Sequence, residues 1–251
     1  TVISQAVSAA WVIRFLTSKR SVMKLGLRNM RLKADIVKRI AGLGISPFIM
    51  QSTESMVGIT LNSGLQNYGG DLYVGTMSIM TSIMQLILIP VQGISQGVQP
   101  IISYNYGADN YRRVRQTYRR MIGITFGFVN LATALIMIFP KVFAGMFTND
   151  EELISLVARV IPVFMAGMLV FGLQNGIQPT FVALGQAKIS LFIAVLRKII
   201  LLIPLAIIFP HFFGVWGVYY AEPVSDILSA ATASTLFLIN INKILKKKEK
   251  S

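Results

Sequence analysis

Along this chain, long apolar runs alternate with short polar connections. Seven stretches stand out: residues 1–17, 40–66, 72–102, 121–139, 154–183, 189–209 and 214–240. A helix that crosses a bilayer needs about 20 mostly apolar residues, and no soluble fold calls for six such runs joined so closely. The first stretch is short and helix-compatible, with no basic n-region or small-residue cleavage site ahead of it. It therefore reads as the end of a helix that begins upstream, not as a signal peptide. The pattern predicts an all-α membrane protein. Its parts are the end of a preceding transmembrane helix (1–17), a basic inter-lobe linker (18–39), a six-helix lobe (40–245) and a basic tail (246–251).

The connections predict orientation. Lys19, Arg20, Lys24, Arg28, Arg31, Lys33, Lys38 and Arg39 fill the first, and Arg112, Arg113, Arg115, Arg119 and Arg120 lie between the third and fourth runs. Lys188 marks a later turn, and Lys243, Lys246, Lys247, Lys248 and Lys250 crowd the end. These nineteen of the 24 basic residues fall on one side, while the other side holds Lys141 against Asp71, Asp150, Glu151 and Glu152. The positive-inside rule puts the linker and the C-terminus in the cytoplasm and the protein in the plasma membrane. Thr148 and Glu151 have capping-box spacing ahead of the run at 154, so a helix is expected to start there on the outer side.

Composition narrows the chemistry. The 251 residues are 54% hydrophobic and only 14% charged, yet carry a formal net charge of +14. An excess of that size in a soluble protein would suggest a nucleic-acid partner. Here orientation and contact with anionic lipid headgroups suffice to explain it, and no nucleic-acid partner is expected. The absence of cysteine excludes disulfides and thiolate chemistry, and His211 is the single histidine. No metalloprotease, nucleophile-elbow, P-loop or dinucleotide signature occurs, so neither an enzyme nor a cofactor is expected. Prolines 47, 90, 100, 162, 179, 204 and 223 interrupt the runs or lie near their ends, as helices around a polar cavity allow. Gly93/Gly97, Gly123/Gly127 and Gly172/Gly176 have the spacing that lets helices approach closely, read as packing within the bundle.

The polar residues left in the apolar runs are the functional candidates. Glu54 lies near the middle of the 40–66 run, on one helical face with Pro47, Gln51, Gly58 and Asn62. An intramembrane carboxylate is expensive and by default functional; exchanging a proton or a small cation such as sodium is the sharp reading, a structural hydrogen bond the plain one. Ser78, Ser82, Gln85, Gln92, Gln96, Gln99 and Ser103 form a second stripe, expected to face inward. It would either line a hydrated pathway or bond neighbouring helices. Gln174, Asn175 and Gln178 are a third group. Met77, Met80 and Met84 form a flexible thioether stripe, better read as packing. Arg197 and Asp226 lie at similar distances from the turn near residue 212, so a structural intramembrane pair is expected, with gating as the alternative. Glu222, one turn shallower, reads as less constrained. On this reading Glu54 lacks a basic partner.

Several runs then carry a resemblance. GISQGVQPIISYNYGA at 93–108 with the basic YRRVRQTYRR after it, FVALGQAK at 181–188, LRKIILLIPLAII at 196–208 and FGVWGVYYAEPVSD at 213–226 together resemble the multidrug and toxic compound extrusion (MATE) family, in its MepA-like branch. The likeness covers nearly the whole chain, in the order of that family's second half. It implies helices seven to twelve of a twelve-helix, two-lobe antiporter that exports cationic, amphipathic drugs in exchange for sodium ions or protons. The partners it implies are membrane lipids, those substrates and an N-terminal lobe of the same protein. Some members carry coupling acids in the seventh and tenth helices. Glu54 matches the first position; the second region offers Gln174 and Asn175 but no carboxylate. A lipid-linked oligosaccharide flippase of the same superfamily and a non-transporting membrane scaffold remain the alternatives.

Overall fold

The computed structural model describes residues 2–18 and 34–248; the side chains of 35–36, 38–51 and 246–248 are outside the described residues. Most of the basic linker and the side chains of Gln51 and of the basic tail therefore lie outside them. The chain divides into two units, Thr1–Ile49 and Met50–Ser251. In the first, α1 (Val2–Thr17) buries none of its residues, and Ser18 closes its last turn by donating to Phe15 O. α2 (Ala34–Gly69) runs from the first unit into the second.

The second unit continues with α3 (Asp71–Gly107), α4 (Tyr111–Ile138), the short α5 (Pro140–Gly145), α6 (Glu151–Phe164) and α7 (Met168–Ala183). Then come α8 (Ala187–Val195), a π-helical segment over Leu196–Leu202, α9 (Ile203–Phe213) and α10 (Val215–Lys248). No strand occurs among the described residues. Four of the spans, Asp71–Gly107, Tyr111–Ile138, Ala187–Phe213 and Val215–Leu245, are long and apolar enough to cross a bilayer, and α6 with α7 makes a fifth if the bent pair is one span. This is a multi-pass, all-helical membrane protein.

Three boundaries differ from the sequence expectation, each for a local reason. The basic stretch after residue 103 is mostly helix, because Val114, Tyr118 and Met121 recur at helical spacing and are buried. The true connection is Ala108–Asn110; Asp109 takes a positive φ of 58° and the Asn110 side chain caps α4 by accepting from Arg113 N. At α6 the cap is Asp150, not Thr148. Its carboxylate accepts from Glu152 N and Leu153 N, Thr148 Oγ1 accepts from Asp150 N, and Glu151 and Glu152 add negative charge to the first turn, where it suits the helix dipole. The apolar run 154–183 is not one straight helix but bends by 60° between α6 and α7. Gly167 sits at the bend so close to α10 that an added Cβ would lie 2.6 Å from Pro223 Cα.

α7 is central, packing against α3, α4, α8 and α10. Of the three Gly-x-x-x-Gly pairs only Gly172/Gly176 brings helices together. A Cβ at Gly176 would stand 2.9 Å from Ile122 Cα of α4. The other two pairs have nothing within 4 Å.

The apolar interior is in two parts. One gathers Leu65, Met80, Ile83, Phe164, Met168, Phe171 and Tyr219, the other Ile102, Tyr118, Met121, Phe181, Phe237 and Ile241. Met77, Met80 and Met84 all belong to the first part, so the methionine stripe is packing. Between the two runs a buried polar layer: Ser95 of α3, Thr125 of α4, Gln174 of α7, and Glu222, Ser225, Asp226 and Ser229 of α10. Along α10 the layer begins about 10 Å from the first residue, at 1.5 Å rise per residue.

Candidate functional site

Charge concentrates where the π-helical segment meets α10. Arg197 Nε donates to Asp226 Oδ1 at 2.6 Å and Nη2 donates to Glu222 Oε1 at 2.8 Å. The guanidinium lies over the Phe171 ring, 4.1 Å from its centroid. Ser225 Oγ donates to Arg197 O at 2.7 Å, tying the backbone of the segment to α10. Asp226 is fully buried, and its second oxygen, Oδ2, has no hydrogen-bond partner among the described residues. Glu222 is thus as firmly held as Asp226, contrary to the looser environment expected from its depth. Positions 222 and 226 are four apart, one above the other on the same helix face, and a guanidinium fork spans both.

The next residue, Lys198, points elsewhere. Its Nζ forms an ion pair with Glu54 on α2. Sequence alone gives Glu54 no basic partner, and the structure supplies one. The reason is the π-helical segment: hydrogen bonds to the fifth residue put more residues in each turn, so consecutive side chains subtend a smaller angle than on an α-helix. Arg197 and Lys198 then serve adjacent directions, one toward α10 and one toward α2. The Lys side chain is 18% exposed and that of Glu54 is 55% exposed. This pair lies at the open margin of the unit, while the Arg197 triad lies inside it.

Asn62, on the Glu54 face of α2, is exposed, as are Gln85, Gln92 and Gln96 on α3. Most of the second stripe therefore lies on the surface of the unit; Ser82 and Gln99 are half-buried, Ser103 Oγ donates to Ala183 O at 2.9 Å and so bonds a neighbouring helix, and Ser95 and the methionines are turned inward. Of the α7 amides, Gln174 and Gln178 reach other helices and Asn175 bonds back to its own. Gln174 is buried and accepts from Ser229 Oγ at 2.8 Å; Asn175 Nδ2 donates to Phe171 O at 3.2 Å; Gln178 Nε2 donates to Ser190 O at 3.4 Å. The Asn175 carbonyl, deprived of its helical donor by Pro179, accepts from Ser95 Oγ at 3.4 Å. Gln174, Gln178 and the Asn175 carbonyl thus link α7 to other helices, which is how a proline-interrupted span stays satisfied in lipid.

Two open pockets, of about 550 and 400 Å³, lie elsewhere: one runs from Ile138 through α5 to Ser155 and Arg159, the other among Tyr111, Arg112, Arg115, Gln116 and Arg119. Neither is lined by Glu54 or the triad. The pairing of Lys198 with Glu54, the hold of Arg197 on Glu222 and the Phe171 contact are what sequence reasoning missed. The visible signal was the Arg197–Lys198 doublet inside an apolar run.

Comparison with known proteins sets this arrangement in a family. The chain is 26% identical over 234 residues to the multidrug export protein MepA of Staphylococcus aureus, an alignment covering 93% of the chain and 51% of the relative. It spans about half the length of the curated relatives it matches. Among solved structures it is similar to the MATE multidrug transporter DinF-BH, with a TM-score of 0.79 and 33% identity over 97% of this chain and 55% of that one. A crystal structure of MATE in the bent conformation shares the fold, with a TM-score of 0.82, 22% identity, and coverage of 100% and 56%. The family model for MatE matches residues 47–208, and the chain belongs to the MatE family of transporters.

Proposed function

We propose that this chain is the C-terminal six-helix lobe of a secondary antiporter. It would export cationic, amphipathic drugs in exchange for protons or sodium ions across the plasma membrane. Its linker and tail face the cytoplasm and anionic lipid headgroups. An N-terminal lobe of the same protein completes the substrate site, since transporters built from repeats bind substrate at the repeat interface. The exposed residues Glu54 and Asn62 of α2 and Gln85, Gln92 and Gln96 of α3 are the ones offered to that cavity. Gln174, Asn175 and Gln178 serve the packing of the lobe, and by its spacing in the sequence Gln51 continues the Glu54 face.

The observation that carries this reading is the Glu54–Lys198 pair at the open margin of the lobe. An acid on an exposed intramembrane face is available to an incoming cation, and Lys198 is a tethered cation that occupies it meanwhile. A coupling ion or a cationic drug takes Glu54 by displacing the ammonium. A flippase for a pyrophosphate-linked lipid would instead need a cationic face. Dye efflux from cells or vesicles containing the protein tests the reading: Glu54→Gln is expected to abolish ion-dependent efflux, and unchanged efflux with unchanged ion dependence would sink it.

A further inference from the structure

The charges of the Arg197 triad do not cancel. Arg197 is in direct contact with both Glu222 and Asp226, while Lys198, the other cation nearby, has its ammonium committed to Glu54, so the triad taken by itself carries one negative charge in surplus. Both carboxylates are buried, Asp226 completely. An uncompensated charge at that depth is costly, and side chains so placed mark ion or proton pathways. The geometry shows where compensation would sit. Asp226 commits Oδ1 to Arg197, while Oδ2 is buried and has no hydrogen-bond partner among the described residues.

We infer that the Arg197–Glu222–Asp226 triad binds one proton, carried on Asp226 Oδ2, and is a cation site of the lobe separate from Glu54. A proton fits because one free lone pair is enough for it. A sodium ion needs several oxygens, and among the described residues no group of three or more His, Cys, Asp or Glu side chains comes together to supply them. The charged groups facing Asp226 are few. The π-helical segment brings Arg197, with Lys198 next to it, and α10 itself brings Glu222. From α7 comes Phe171 beneath the guanidinium, and from the bend before it Gly167 against Asp226 Cβ, neither titratable. The Tyr219 hydroxyl, one turn away on α10, is engaged with Tyr73 O of α3. On α6, Arg159 lines the pocket beside Lys141.

Taking up the proton converts the Asp226 carboxylate to a neutral acid, leaves Arg197 matched by Glu222 alone, and makes the triad neutral. Losing it to water restores the surplus charge, which a cation elsewhere in the cavity must then balance. The triad holds its proton whether or not Glu54 exchanges one. Its bearing on transport rests on the reading of the chain as part of an antiporter; its protonation does not.

Infrared difference spectroscopy of the purified protein that contains this chain, recorded between acid and alkaline pH, tests it. The wild type is expected to show the C=O stretch of one buried carboxylic acid. Glu222→Gln and Asp226→Asn each make the triad neutral without a proton, so both should fold and both should lose the band. Glu54→Gln should keep it, even if that variant no longer transports. Should both triad variants fail to fold, 13C-aspartate labelling of the wild type decides: the band shifts with the label if the proton is on Asp226. No band, a band that survives in both variants, a band insensitive to the label, or a band that sodium removes at fixed pH would each overturn the assignment.

Discussion

Lys198, on the π-helical segment, pairs with Glu54 on α2, while Arg197, its neighbour in the chain, is committed to α10. Two adjacent basic residues thus serve two separate sites. One is exposed enough to exchange its partner and the other is buried.

This division sets an expectation for Lys198. If the ammonium competes with an incoming cation for Glu54, Lys198→Met removes the competitor. The coupling ion or a cationic dye should then bind roughly 10-fold tighter, the equivalent of about 1.4 kcal/mol. Titration calorimetry or dye fluorescence on the purified protein reads this directly. Weaker binding in Lys198→Met would mean that the lysine helps hold the ligand.

Arg197 should behave as a buried ion-pair partner. Arg197→Met strands the buried Glu222 and Asp226 side chains without their shared partner and should cost about 3–5 kcal/mol, seen as a large drop in thermal stability in detergent. Arg197→Lys should not rescue it fully, because an ammonium cannot reproduce the fork that reaches both Asp226 and Glu222. Adding Asp226→Asn to Arg197→Met should recover part of the loss.

The glycines predict a contrast. Gly176→Ala and Gly167→Ala place a methyl group within 3 Å of backbone on a neighbouring helix, and overpacking of this kind costs about 1–3 kcal/mol. Gly93→Ala and Gly127→Ala meet nothing within 4 Å and should be close to neutral in a thermal-shift series.

Much of this was legible in the sequence. The apolar runs locate the helices and the family. The charge left inside them, Glu54, Arg197, Lys198, Glu222 and Asp226, could be read off directly. Their pairing could not, because an ideal helix advances about 100° per residue, and the π-helical segment changes that register at Arg197 and Lys198. The bend at Gly167 was hidden for a related reason. Apolar composition is continuous through it, and only the close approach of Pro223 and Asp226 on α10 shows why a glycine stands there. The glutamine stripe on α3 was visible as a stripe, but periodicity alone could not say that Ser95 and the methionines, not the glutamines, face the interior of this unit.

Ser229 offers a smaller test of the polar layer. Ser229→Ala leaves the buried Gln174 Oε1 without its donor, which should cost about 1–3 kcal/mol. Combining it with Gln174→Leu should cost less than the two single changes added together, and thermal unfolding of the three variants measures the coupling.

The central claim is that Glu54 exchanges a cation during drug export, and efflux under imposed gradients tests it most directly. In vesicles containing the protein, dye movement driven separately by a pH gradient and by a sodium gradient should respond to at least one of them in the wild type. In Glu54→Gln it should respond to neither, with the protein still folded and inserted. Glu54→Gln vesicles that move dye at the wild-type rate under the same gradients would contradict the account.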